Sequence, residues 1–170
     1  MRFCRGAFLS IPRIFAEASE AEFKRIVSEG KAECRLLVVD GEGFRVVDAG
    51  EDVGELRGEI YVQRIYDDAY KWLVDFETGI IIKSAVVLPP SGDLIVLHKG
   101  DRVYLIEALG RIVVPLVSVG EDVSPGRRLA AIFTGKRELR YLRSDVSGKV
   151  AYVSQIGDKP QRYIFILIPR

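Results

Sequence analysis

Hydrophobic and polar positions follow a helical period in one short segment near the start of the chain. Ser19 and Glu22 form a capping-box pair, whose side chains can bond the exposed amides at the start of a helix. Apolar residues then recur at helical spacing, at Ala21, Phe23, Ile26 and Val27. Gly30 supplies a stop. The pattern predicts one helix between Ser19 and Gly30.

Beyond this helix the period changes to two, which is typical of β-strands with one buried face. Residues 34–39 and 44–47 alternate in this way on either side of a glycine-containing turn at 40–43. This arrangement predicts a β-hairpin. A further alternating segment, residues 58–65, predicts another strand.

The middle of the chain gives two less uniform patterns. Residues 70–76 suit either a helix or a strand, and we favour a hairpin because the β-branched run 80–82 follows a turn. Residues 94–97 and 102–106 flank a turn signal at 98–101, so they predict a second hairpin.

Two glycine-led segments in the last third of the chain resemble each other. Gly110 begins Gly-Arg-Ile-Val-Val-Pro-Leu-Val-Ser-Val-Gly-Glu-Asp, and Gly148 begins the shorter Gly-Lys-Val-Ala-Tyr-Val-Ser-Gln-Ile-Gly-Asp. An internal repeat indicates repeated structural units. We therefore expect two half-barrels related by a pseudo-twofold axis, with Gly110 and Gly148 in equivalent positions.

These segments resemble the biotinyl/lipoyl carrier domain, a small barrel-sandwich of two interlocked halves. The resemblance implies a mainly β (α+β) fold, with a mixed α+β region at 1–88 and a biotinyl/lipoyl-like barrel at 107–170. Residues 89–106 would form a linker and a bridging hairpin. Over nearly its whole length, the chain is also similar to a small uncharacterised archaeal family that joins such a barrel to a mixed N-terminal region.

The carrier resemblance singles out Lys136, since carriers present a modified lysine at the tip of the hairpin that joins the half-barrels. Biotin carriers place it between two methionines, whereas the only methionine here is Met1. Lipoyl carriers place it after an acid-Thr-Asp triplet, whereas Phe133, Thr134 and Gly135 precede Lys136. We expect Lys136 to be exposed and unmodified, and we predict no cofactor. Lys136 as an attachment lysine stays open as an alternative.

Composition limits the remaining function classes. Hydrophobic residues make up 48% of the 170-residue chain, and the net charge is +1, so bulk charge favours neither a membrane nor a nucleic-acid partner. No apolar run approaches the length of a membrane span, and no signal segment is evident, so we expect a cytoplasmic protein. Cys4 and Cys34 lack metal-ligand spacing, and the single histidine, His98, is expected at the surface.

Charge is distributed unevenly along the chain. Residues 40–78 contain eleven acidic and four basic residues, a balance of −7, which we call the acidic stretch. Residues 126–149 contain seven basic and two acidic residues, a balance of +5, which we call the basic stretch. Opposite charges favour contact between the two stretches, within one subunit or between subunits. We expect self-association as a homodimer, the commonest closed assembly.

Arginines within the basic stretch are the candidate interaction residues, namely Arg137, Arg140 and Arg143. The main function hypothesis is a non-enzymatic interaction or scaffold module with an unknown protein partner. The alternatives are a carrier or group-transfer accessory that uses Lys136, and an enzyme with a site between the two regions that draws on the N-terminal acids. No catalytic or metal-binding residue is predicted.

Overall fold

The computed structural model describes residues 11–30, 34–50 and 57–170. Within those ranges the chain forms two helices, α1 at Glu20–Glu29 and α2 at Tyr70–Leu73, and neither could cross a bilayer. The prediction of a mainly β protein is confirmed. The strands are β1 Arg13–Glu17, β2 Arg35–Asp40, β3 Gly43–Asp48, β4 Glu59–Arg64, β5 Val74–Asp75, β6 Ile80–Ile81, β7 Ala85–Leu88, β8 Ile95–Leu97, β9 Tyr104–Gly110, β10 Ile112–Pro115, β11 Asp122–Val123, β12 Arg128–Phe133, β13 Leu139–Arg143, β14 Gly148–Asp158 and β15 Gln161–Pro169.

Helix α1 forms where the capping box predicts it. The amide of Glu22 donates a hydrogen bond of 3.2 Å to the Ser19 hydroxyl, and Gly30 ends the helix in the left-handed conformation with φ of 55°. Ile26 packs against Leu36 and Val62 of the neighbouring sheet. The predicted helix is therefore confirmed at both ends.

The first sheet has six antiparallel strands in the order β3-β2-β4-β1-β7-β8. Strands β2 and β3 form the predicted hairpin, in which the Asp40 carboxylate accepts hydrogen bonds from the amides of Glu42 and Gly43. Strand β4 forms as predicted and lies between β2 and β1. Residues 70–76 contain both a helix and a strand. The single turn α2 is followed directly by β5, which pairs with β6 in the favoured hairpin.

The predicted hairpin around residues 98–101 is wrong, although its turn forms. The amide of Asp101 donates to the carbonyl of His98 at 3.0 Å, yet the two flanking strands diverge. Strand β8 pairs with β7 and completes the first sheet, whereas β9 pairs with β15. Burial explains why β8 joins the first sheet, because Ile95 and Leu97 are buried there in the hydrophobic core.

Two smaller sheets make up the last third and curl as half-barrels. One has four strands in the order β11-β14-β15-β9, and the other has three in the order β10-β12-β13. The expected equivalence of Gly110 and Gly148 does not hold, since Gly110 ends β9 and Gly148 begins β14. Each glycine is needed for close packing: a Cβ atom would collide with Ile132 at Gly110, and with the Ile168 carbonyl at Gly148.

A shared hydrophobic core joins the first sheet to the four-stranded sheet. It contains Ile14 and Val87 from the first sheet, and Tyr152 and Ile166 from the other. A second core lies between the two smaller sheets and includes Leu129 and Phe165. The N-terminal and C-terminal regions therefore bury apolar surface against each other and pack together.

Candidate interaction surface

One side of the three-stranded sheet carries large apolar side chains that no described element covers. Cross-strand neighbours share a face in an antiparallel sheet, and the register aligns Ile112 with Phe133 and Leu139 in one row. A second row aligns Val114 with Ala131 and Tyr141. We call this surface the outer face, defined by Ile112, Val114, Phe133, Leu139 and Tyr141.

Each of these side chains is exposed over at least two-fifths of its surface. The exposed fraction is 47% for Ile112, 43% for Val114, 40% for Phe133, 48% for Leu139 and 40% for Tyr141. The alternate residues of the same strands, such as Val113 and Leu142, point inward and pack in the second core. Scattered exposed apolar residues are ordinary, but a contiguous patch is typical of an interaction site.

Lys136 lies in the turn between β12 and β13, two strands of the same sheet, and its side chain is exposed. The turn is closed by a hydrogen bond from the amide of Thr134 to the carbonyl of Glu138, at 2.9 Å. Arg137 follows Lys136 with a φ of 62°, in the left-handed region. The hairpin thus presents two cationic side chains next to the Phe133 end of the outer face.

The three predicted interaction arginines do not form one stripe. Arg140 lies on the inward-facing side of β13, in register with Ile132, and pairs with Glu138 at 2.8 Å. Arg143 shares the side of Tyr141, and its guanidinium donates to the carbonyl of Gly126 at 2.9 Å. Whether they bind a partner stays a prediction.

Arg128 of β12 holds its guanidinium 4.0 Å from the centre of the Tyr141 ring. This distance is within the range of a cation–π contact. Together with Arg143, Lys136 and Arg137, it gives the apolar outer face a basic margin. A surface that combines an apolar centre with a charged rim is typical of a protein interface.

Clefts at the junction of the two regions are the remaining candidate sites. A cavity of about 540 Å³ is lined by Tyr66, Val153 and Glu121 among others, and Asp67 and Asp158 line a neighbouring depression. Burial raises the pKa of Tyr66 and raises that of Tyr152 to about 12, so both phenols are neutral at pH 7.

Hydrogen bonds at this junction hold the two regions together. The Tyr152 hydroxyl donates to the Tyr66 carbonyl at 2.7 Å, and the amide of Val153 donates to the Tyr66 hydroxyl at 3.1 Å. Across residues 11–30, 34–50 and 57–170, no three His, Cys, Asp or Glu side chains converge as metal ligands. His98 is exposed in its turn and lines neither cleft.

The chain matches, over residues 9–170, the DUF2118 family, which is described as an uncharacterised protein conserved in archaea. The chain belongs to this family. An uncharacterised protein of Methanocaldococcus jannaschii is similar to it, with 26% identity over 95% of this chain and 93% of the relative. The archaeal resemblance is thus confirmed, while the family description names no biotinyl/lipoyl domain.

The outer face was not predicted from the sequence, because its exposed apolar residues alternate with buried apolar residues along the same strands. Residues 112–114 and 129–133 are apolar at every position, so their sequence does not show which face of each strand is exposed. The available signal was Leu139-Arg140-Tyr141-Leu142-Arg143, which is too polar to be buried on both sides. Since β12 pairs with this strand, the same face of β12 is expected to be exposed.

Proposed function

We propose that this protein is a non-enzymatic interaction module that associates with itself through the outer face. The observation that carries the proposal is the contiguous exposure of Ile112, Val114, Phe133, Leu139 and Tyr141. Burying such a surface releases about 25 cal/mol for each Å² of apolar area removed from water. Its basic margin opposes the association, because the same positive charges meet in a second copy.

The charge pattern is compatible with this proposal. Arg140 pairs with Glu138, and Arg127 pairs with Glu121, so the basic stretch forms its ion pairs locally. Within the described ranges, no ion pair joins the basic stretch to the acidic stretch. Their opposite charges therefore contribute little to the fold of one subunit, and they remain available for contact with other molecules.

Sedimentation equilibrium over a range of concentrations tests this function. We expect a dimer for the wild type and a shift to monomer for the double variant Val114→Thr, Leu139→Thr, which keeps β-propensity but adds polar atoms to the outer face. The matched control is Phe44→Thr in β3, where the exposed fraction is 42%. A wild type that stays monomeric at high concentration contradicts self-association.

The carrier role is a second candidate, favoured by the position of Lys136 in an exposed turn at the end of a two-stranded hairpin. In this reading, residues 107–170 form a variant of the biotinyl/lipoyl barrel. Intact mass of protein purified from its native source tests it. An added biotinyl or lipoyl mass that disappears in Lys136→Ala supports the carrier role, and an unmodified mass contradicts it.

A further inference from the structure

Two exposed arginines lie directly opposite each other on the same side of the three-stranded sheet as the outer face. The register of β12 with β13 pairs Arg128 with Arg143, so their side chains share one face and their Cα atoms are about 4.5–5.5 Å apart. Like charges in directly opposed positions destabilise a sheet. The arrangement therefore costs stability unless a negative charge compensates the pair.

That negative charge does not come from the described part of the chain. Within residues 11–30, 34–50 and 57–170, no acidic side chain forms an ion pair with Arg128 or Arg143. Neighbouring arginines do have partners, since Arg127 pairs with Glu121 at 3.1 Å and Arg140 pairs with Glu138 at 2.8 Å. The adjacent cations are thus compensated locally, and the opposed pair is not.

Both guanidinium groups of the opposed pair are held in place. Arg128 lies 4.0 Å from the centre of the Tyr141 ring, and Arg143 donates from Nη1 to the carbonyl of Gly126 at 2.9 Å. A guanidinium has five N–H donors, so these contacts leave donors free for a ligand. Because the arginines are already positioned, they lose less side-chain entropy when a ligand binds.

We propose that Arg128 and Arg143 form a binding site for a phosphate group, and that its occupation strengthens self-association. Guanidinium forks match the oxygen atoms of a phosphate and can bind them in pairs. A phosphate monoester carries about −1.5 to −2 charges at pH 7, whereas a carboxylate carries one. Phosphate, free or in a small ester, is therefore the ligand that compensates two opposed cations.

The effect on self-association rests on the proposed function, whereas the phosphate site itself does not. Association through the outer face brings the basic margin of one copy against that of the other, and this repulsion weakens the dimer. A dianion bound at Arg128 and Arg143 offsets both of their charges in each copy. Phosphate should therefore bind the dimer more tightly than the monomer, and by linkage it should tighten the dimer.

Thermal melts in inorganic phosphate, with chloride used to keep the ionic strength constant, test the site. We expect the melting temperature of the wild type to rise with half-saturation at about 1 mM, and Arg128→Gln and Arg143→Gln to bind at least about tenfold more weakly. The matched control is Arg140→Gln, which removes a cation from the other side of β13 and should respond as the wild type does. Equal responses from all four proteins would reflect general exclusion of phosphate from protein surfaces, and would overturn the site.

Adenosine monophosphate, titrated in parallel, distinguishes the two sources of the phosphate group. Half-saturation at the same concentration as inorganic phosphate assigns a site for the phosphate group alone. Tighter binding of adenosine monophosphate, again lost in Arg143→Gln, assigns a phosphate ester whose base contacts the outer face. Binding of neither compound to the wild type overturns the proposal.

Sedimentation equilibrium tests the effect on association. Replacing chloride by phosphate at constant ionic strength should lower the dimer dissociation constant of the wild type at least about fivefold, and should leave that of Arg143→Gln unchanged. An equal change in both proteins, or a weaker wild-type dimer in phosphate, overturns the coupling. A wild type that is monomeric at every concentration overturns the proposed function and the coupling, while the expected melts would still support the phosphate site.

Discussion

At the scale of single residues, the sequence indicates where turns occur better than it indicates which residue carries the strain. Gly135 suggests that the hairpin around Lys136 needs glycine, yet the left-handed φ of 62° falls on Arg137. A side chain in this region costs about 1–2 kcal/mol, which glycine avoids. The position of the strained residue depends on the register of β12 with β13, and no local pattern reveals that register.

Arg137→Gly should raise the free energy of unfolding by about 0.5–1 kcal/mol, because glycine adopts the left-handed conformation without a steric penalty. Arg137→Ala keeps the Cβ atom and serves as the control, for which we expect no gain. Urea denaturation of the three proteins measures the difference. Equal stabilisation by Ala and Gly would show that the loss of charge, not backbone strain, is responsible.

Glu22 gives a second residue-scale prediction, about pH. A hydrogen bond from Arg64 lowers the pKa of Glu22 below its ordinary value of 4.5. The carboxylate therefore stabilises the fold above pH 4.5, and this contribution disappears as the pH falls through the lowered pKa. Glu22→Gln should cost about 0.5 kcal/mol at pH 7 and nothing at pH 2.

Thermal melts across pH, with Glu20→Gln as control, test this expectation. Glu20 occupies the same helix turn and pairs with Lys24, but both side chains are more than two-thirds exposed. We expect no measurable effect of that control. A Glu22→Gln cost that is the same at both pH values would point to lost packing rather than lost charge.

At the scale of elements, local signals were sufficient for α1 and the β2–β3 hairpin but not for β8 and β9. Ser19, Gly30 and the Asp40 turn each act within a few residues, so their effects can be read from the sequence. The partners of β8 and β9 were not predictable, because β9 pairs with β15 far along the chain. The outer face was missed for the same reason, since exposure depends on which neighbours cover a strand.

Helix α1 offers the prediction at this scale. Ser19→Ala removes the hydroxyl that accepts the bond from the amide of Glu22, and it should lower the free energy of unfolding by about 1 kcal/mol. Ser28→Ala, near the other end of the same helix, is the control because its hydroxyl only donates to the Arg25 carbonyl. Equal losses for the two variants in chemical denaturation would contradict a capping role.

At the scale of the whole molecule, the shared core and the Tyr66–Tyr152 contact make the two regions one structural unit. Their rings lie 4.8 Å apart between centres, and each hydroxyl bonds to the backbone of the opposite region. The expected division at residue 88 falls within the first sheet, since β7 ends there and β8 beyond it pairs with β7. We therefore expect a single cooperative unfolding transition.

Tyr152→Phe should lower the free energy of unfolding by about 0.5–1.5 kcal/mol, because it removes the hydrogen bond from the phenol to the Tyr66 carbonyl, which keeps the amide of Ala69 as its other donor. It should also reduce alkaline sensitivity. Burial raises the pKa of Tyr152 to about 12, so the stability that the neutral phenol confers is present below pH 10 and declines as the pH rises toward 12. The control is Tyr104→Phe, because the Tyr104 side chain is exposed. If the free energy of unfolding depends on alkaline pH equally in both variants, the loss is not due to the ionisation of Tyr152.

Salt gives the prediction for the assembly. Association through the outer face brings two basic margins together, so screening their repulsion should strengthen the dimer as sodium chloride rises from about 0.05 to 0.5 M. Contact between an acidic and a basic stretch predicts the reverse, and it also predicts dissociation of Arg140→Glu, Arg143→Glu. Sedimentation at both salt concentrations, for the wild type and the double reversal, distinguishes the two arrangements.

The pairing of β9 with β15 has a consequence for synthesis on the ribosome. The six strands of the first sheet can pair as they emerge, but β9 has no partner until Gln161–Pro169 has been made. Tyr152 and Ile166, which complete the core beneath the first sheet, also arrive late. During elongation the nascent chain therefore displays apolar strands that only later residues can cover, and such intermediates are typical substrates of chaperones.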